Sequence, residues 1–154
     1  MRIAGTQFNV STSTLEIYLS GCTRACSGCH NPELQDFNVG ENYIIYMQRL
    51  DYQLSSSLVD NIAIMGGEPL AQGRINLEDF IKRIKYFDKY KSGGRHIWLY
   101  TGFDFEHIPQ WIKSTVDYIK CGAYDENLKS DNYISCGVKL ASTNQKVYKR
   151  GIDY

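Results

Sequence analysis

Leu15-Glu16-Ile17-Tyr18-Leu19-Ser20-Gly21-Cys22-Thr23-Arg24-Ala25-Cys26-Ser27-Gly28-Cys29-His30-Asn31-Pro32-Glu33 joins a strand pattern to a thiol-rich loop. Apolar and polar residues alternate from Leu15 to Leu19, the period of a half-buried strand, and Ser20-Gly21 ends it. Three cysteines then fall within eight residues as Cys-x3-Cys-x2-Cys. A strand whose C-terminal end opens into such a loop sets the question for the rest of the chain: do further strands end in the same way?

They do. Ile62-Ala63-Ile64-Met65 is a short apolar run that stops at Gly66-Gly67, as a buried strand would. His96-Ile97-Trp98-Leu99-Tyr100 reads as a third strand closed by Thr101-Gly102, and Val116 to Cys121 as a fourth closed by Gly122. Helical periodicity fills the intervals. From Glu41 to Leu58, Ile44, Met47, Leu50, Leu54 and Leu58 recur at three- and four-residue steps. Asn76 with Asp79 predicts a capped helix start, followed by a Leu77, Phe80, Ile81, Ile84, Phe87 stripe and a stop at Gly93-Gly94. A helix within Phe105 to Ser114 is interrupted by Pro109, and Lys146-Val147-Tyr148 is a late strand candidate. Alternating strands and helices predict an α/β fold with mainly parallel strands and crossover helices. Sites in such folds gather at the C-terminal strand ends, where this chain puts its glycines and cysteines.

Five cysteines cannot all pair with one another, and Met1 to Gln7 lacks the apolar core of a secretion signal. The expectation is a cytoplasmic chain with reduced thiols. Three thiolates on one short loop can ligate three irons of a cubane cluster and leave the fourth iron open to a small molecule. Gly21 and Gly28 let the backbone bend closely around such a group. Zinc held with His30 is the competing assignment; His30 is badly placed for it, being adjacent to Cys29. Three plain thiols is the remaining alternative. Cys121 and Cys136 stand apart and read as ordinary thiols.

The cysteine spacing after a first strand resembles the signature of the radical S-adenosylmethionine (SAM) superfamily. Ser20-Gly21-Cys22, Ser27-Gly28-Cys29-His30-Asn31-Pro32-Glu33 and Asp36-Phe37 are similar, more narrowly, to the activating proteins of anaerobic ribonucleoside-triphosphate reductase. Leu34-Gln35 stands where that family often has Thr-Trp. Met65-Gly66-Gly67-Glu68-Pro69 taken alone is a turn; paired with the cysteine loop it resembles the motif that holds the methionyl amino group of SAM. Tyr100-Thr101-Gly102-Phe103, Asp117 to Tyr124 and Ser142-Thr143-Asn144-Gln145-Lys146-Val147-Tyr148 extend the resemblance over nearly the whole chain.

The resemblance implies a shortened, open (partial) βα barrel of the radical SAM type, formed by residues 1–154 as a single domain. It implies a 4Fe-4S cluster on Cys22, Cys26 and Cys29, and SAM beside Gly66, Gly67, Glu68 and Pro69, with Thr101 and Asn144 as further SAM candidates. Asn144 and Gln145 equally suit a buried loop that needs hydrogen bonds. The implied reaction is reductive SAM cleavage that leaves a glycyl radical on the large reductase subunit, with an electron donor such as a flavodoxin. Alternatives are another glycyl-radical enzyme as target, a small-molecule reaction of the deazapurine-synthase kind, or a non-enzymatic iron–sulfur or zinc module.

Composition sets limits on partners. With 154 residues, 17 basic and 17 acidic side chains balance to zero net charge. That removes the electrostatic case for nucleic acid or an acidic membrane as partner. No stretch approaches the roughly 18 consecutive apolar residues of a membrane span. Lys82, Arg83, Lys85, Lys89, Lys91 and Arg95 form a basic stretch expected to be a solvated helix face.

Overall fold

Strand β2 (Thr14–Ser20) and the loop after it hold the middle of the molecule together in a computed structural model, which describes residues 1–24, 26–88 and 94–154. Among the described residues, β2 pairs in parallel with β4 (Asn61–Gly66), β4 with β5 (His96–Tyr100), and β5 with β6 (Tyr118–Cys121). Antiparallel strands flank this parallel centre: β1 (Arg2–Asn9) and the two-residue β3 (Glu41–Asn42) on one side, β9 (Lys146–Lys149) on the other. The order across the seven strands is β3-β1-β2-β4-β5-β6-β9, and β7 (Ile134–Ser135) with β8 (Val138–Lys139) forms a separate small hairpin.

Alternation gives the sheet two different faces. Leu15, Ile17 and Leu19 of β2, Ile62 and Ile64 of β4, Ile97 and Leu99 of β5 and Ile119 of β6 are buried in one hydrophobic cluster. Helices α1 (Tyr43–Leu54), α2 (Arg74–Asp88) and α3 (Gln110–Lys113) pack into the same cluster through Met47, Leu50, Phe80, Ile84 and Ile112. By the same alternation Glu16, Tyr18, Trp98, Tyr100, Tyr118 and Lys120 belong to the opposite face. There Trp98 and Tyr118 stack at 3.9 Å between centroids.

Several boundaries differ from the sequence reading. The first helix begins after Asn42, whose side chain accepts from the Ile44 amide, and ends at Leu54. Tyr43 lies on its buried face, while Ile44 and Leu58 are exposed. Glu41 and Asn42 pair with Arg2 and Ile3 instead of starting the helix. The second helix begins at Arg74, two residues before Asn76; Asp79 binds Arg83 and the Tyr43 hydroxyl rather than capping. Pro109 splits its segment into a 3-10 turn (Phe105–His107) and the single turn α3. Strand β6 starts at Tyr118, because the Asp117 carboxylate accepts from the Ile97 amide. In the basic stretch, Lys82 and Arg83 pair with Glu78 and Asp79. Arg95 is not solvated but buried, donating to the Ser56 carbonyl. Lys89, Lys91 and Gly93 lie outside the described residues. No helix among the described residues is long and apolar enough to cross a membrane.

Candidate iron–sulfur and cofactor site

The C-terminal ends of β2, β4, β5 and β6 surround one cavity of about 360 Å³. Cys22, Cys26 and Cys29 line it together with Gly66, Gly67, Glu68, Thr101, Gly102, Gly122 and Gln145. All three cysteines are half-buried free thiols. Of the residues the sequence marked, two fall elsewhere. Pro69 is buried at the start of a 3-10 turn (Pro69–Ala71), and Asn144 borders a neighbouring hollow, its amide donating to the Ala123 carbonyl.

The cysteine loop and the glycine loop are bound to each other through main chain. The Gly67 amide donates to the Leu19 carbonyl at 2.7 Å, and the Glu68 amide to the Gly21 carbonyl at 3.0 Å. This contact requires glycine on the β4 side. Gly66 has φ +103°, and a Cβ on Gly67 would lie 2.5 Å from the Gly21 oxygen. On the far side, the Gly21 and Cys22 amides donate to the Leu34 and Gln35 carbonyls. Both bonds are accepted by main-chain atoms, which any side chain at 34 and 35 would supply. The departure of Leu34-Gln35 from the family pattern therefore leaves these two hydrogen bonds intact.

Glu68 is 1% exposed, and both its oxygens face protein donors. Oε1 accepts from the Leu70 amide and the Thr101 hydroxyl, at 3.0 and 2.8 Å, and Oε2 accepts from the Gly102 amide at 2.9 Å. Its side chain thus fixes the β5 loop to the β4 loop. Gln72, which the sequence reading passed over, does the same for the cysteine loop. Its buried Nε2 faces the carbonyls of Ser20 and Gly21 at 2.9 Å and of Glu68 at 3.3 Å. The available signal was an amide side chain four residues after Glu68, next to a turn. Gln145 resolves as a strut: Oε1 accepts from the Ala141 and Ser142 amides, and Nε2 donates to the Gly122 carbonyl.

Tyr18, Tyr100 and Lys120 also line the cavity. Burial pushes both phenols up to about 12 and the Lys120 ammonium down to about 8. Lys120 Nζ donates to the Gly122 carbonyl at 2.9 Å. Burial raises the Cys22 thiol above its ordinary value, and the Arg24 amide, 3.4 Å from Sγ, acts in the opposite direction. His30 is exposed and packs against Tyr124 at 4.7 Å between ring centroids.

Among the described residues, no three His, Cys, Asp or Glu side chains converge closely enough to grip one metal ion. Three sulfurs along one cavity wall instead suit a group that presents a separate iron to each. The donor chemistry and the glycine-lined approach fit a 4Fe-4S cluster held by Cys22, Cys26 and Cys29.

Comparison with known proteins gives the same chemistry. A family model described as a 4Fe-4S single cluster domain matches residues 11–148. The anaerobic ribonucleoside-triphosphate reductase-activating protein of Enterobacteria phage T4 is 30% identical over 73% of this chain and 71% of its own. The protein of that name from Escherichia coli K12 is 26% identical over 86% and 85%, and that from Haemophilus influenzae 26% over 67% and 66%. No solved structure matches.

Proposed function

From the premise that this chain belongs to the 4Fe-4S single-cluster family, as a relative of the anaerobic ribonucleoside-triphosphate reductase-activating proteins, we propose that it is a radical SAM activase of such a reductase. Cys22, Cys26 and Cys29 are the cluster ligands, and the Gly66-Gly67-Glu68 backbone is the edge that receives SAM. Held by Cys22, Cys26 and Cys29, a reduced 4Fe-4S cluster would supply the one electron needed to cleave the C5′–S bond of SAM, and the resulting 5′-deoxyadenosyl radical would take hydrogen from a glycine of the large reductase subunit, leaving methionine and 5′-deoxyadenosine. A flavodoxin is the type of donor that would deliver the electron.

The protein's own part is to position and to exclude. Gln72 and the main chain of Leu34 and Gln35 hold the cysteine loop at the mouth of β2. Glu68 keeps Thr101 and Gly102 against the glycine loop, so the rim has little freedom to reorganise as the ligand enters. Tyr18, Tyr100 and Met65 line the cavity and restrict water. The linear order of mainly parallel strands supports reading the sheet as an open, partial βα barrel of the radical SAM type. An open side suits a substrate that is a loop of another protein.

One observation carries the proposal: the three cysteines and the Gly-Gly-Glu loop, more than 35 positions apart, line one cavity, and the Gly67 and Glu68 amides donate to the Leu19 and Gly21 carbonyls just ahead of Cys22. Cys26→Ala is expected to abolish cluster binding and SAM cleavage while the chain still folds. Anaerobic iron and sulfide analysis and assay of 5′-deoxyadenosine test this. Full reductive cleavage by the variant overturns the proposal. Incubation with the large reductase subunit, followed by electron paramagnetic resonance, tests the glycyl radical.

A further inference from the structure

Between the first two cysteines stands Arg24, whose side chain is laid on the end of β5. Its guanidinium carbon is 5.0 Å from the Phe103 ring centroid. The stem crosses Gly102 so closely that a Cβ there would lie 2.7 Å from Nε and 2.8 Å from Cδ. The backbone amide of Arg24 donates to Cys22 Sγ at 3.4 Å. One residue therefore touches both the thiol and the neighbouring loop.

The platform under Arg24 is itself fixed. Gly102 donates to Glu68, the Phe103 amide donates to the Thr101 hydroxyl at 3.1 Å, and the Phe103 carbonyl accepts from the Gly122 amide at 3.0 Å. Among the described residues no carboxylate pairs with the guanidinium, and Arg24 lines the cavity beside Cys22, Cys26 and Cys29. Glu68, the carboxylate whose charge acts on Cys22, has its oxygens bonded to Leu70, Thr101 and Gly102 and not to Arg24.

We propose that Arg24 is a positioning residue for the cluster: clamped on Phe103 and Gly102, it fixes the Cys22 ligand and holds a permanent positive charge that raises the cluster's reduction potential. This inference rests on the 4Fe-4S reading above. The sign follows from charge. Reduction adds an electron, and a nearby cation stabilises the more negative state. Phe103 matters because it keeps the guanidinium against the cavity instead of in water.

The test is the midpoint potential of the reconstituted full-length protein, measured by mediated titration in wild type, R24Q, R24K, F103L and R24Q/F103L. R24Q is expected to raise the oxidised-to-reduced ratio at fixed potential at least tenfold, about 59 mV for a one-electron couple. F103L is expected to shift the potential in the same direction by less, and the double variant no further than R24Q alone. R24K, which keeps the charge, is expected to stay closer to wild type than R24Q. An unchanged potential in R24Q, or independent additive shifts in the double variant, overturns the proposal. Should R24Q fail to retain iron, F103L against wild type decides: a lowered potential supports the clamp and an unchanged one overturns it. A wild-type chain that assembles no four-iron cluster overturns both this inference and the proposed function. A wild-type cluster indifferent to R24Q overturns this inference alone.

Discussion

Glu68 shows how an acidic residue at a ligand-lined edge can serve the fold. Three protein donors face its two oxygens, so an amide in its place has no orientation that satisfies them. Turned one way, the amide nitrogen of Glu68→Gln faces the Gly102 N–H; turned the other, it faces the Leu70 N–H and the Thr101 hydroxyl. The expected cost is about 1–3 kcal/mol, the penalty of a buried donor left without an acceptor. Urea denaturation of the two proteins measures it, and equal midpoints would contradict the assigned role. The two cysteines outside the cluster loop differ by the same logic of burial. Cys121 is buried and its thiol is pushed up to about 12, whereas Cys136 is exposed on a turn.

The βα loops are the elements in which sequence and geometry agree most closely. Each of β2, β4 and β6 ends in a glycine with positive φ, at Gly21, Gly66 and Gly122, and these glycines lie where loops approach one another. Gly67→Ala would drive a methyl group into the Gly21 carbonyl, with an overpacking cost of about 1–3 kcal/mol. Gly5→Ala is the control. Its Cβ would meet nothing within 4 Å, and replacing glycine inside a strand is expected to stabilise by about 0.5–1 kcal/mol. Thermal unfolding of both variants should show opposite signs, and a stable Gly67→Ala would remove the close-approach argument. Strand β1 escaped the sequence reading for a related reason. The register shifts between Ile3 and Gly5, and Thr6, Gln7 and Asn9 add polar residues, so no clean alternation survives. The two-residue strands β3, β7 and β8 are too short to have a period at all.

At the scale of the whole molecule, β6 makes stability depend on pH through two neighbours. Lys120, with an ordinary value of 10.5, is held down to about 8 in the fold, so between those values the unfolded chain binds more protons and stability rises with pH. Cys121, ordinarily 9.0, is pushed up to about 12, so above pH 9 the folded chain binds more protons and stability falls. From pH 8 to 9 the lysine dominates, with a slope of at most about 1.4 kcal/mol per pH unit that the thiol starts to offset as pH nears 9. Above pH 9 the two oppose each other. Lys120→Met is expected to flatten the rise between pH 8 and 9, as seen in urea midpoints across that interval. A rise that persists in the variant would mean that another group causes it.

The amino-acid sequence by itself determined the parallel strand–helix alternation, the three-cysteine loop and its likeness to reductase-activating proteins. Those features are local: the alternation of Leu15 to Leu19, the Cys22-Cys26-Cys29 spacing and the glycines at strand ends are all visible within a few residues. Only the tertiary structure decided what each polar group near the site does. Glu68 finds Thr101 33 positions away and Gln72 finds Ser20 52 positions away, while Arg24 meets Phe103 on a different strand end. The side chain of Glu68 is thereby a strut, and Gln72 and Arg24 enter the account of the site. A buried polar group takes whichever partner the fold brings within hydrogen-bonding distance, and that partner leaves no periodic trace in the chain.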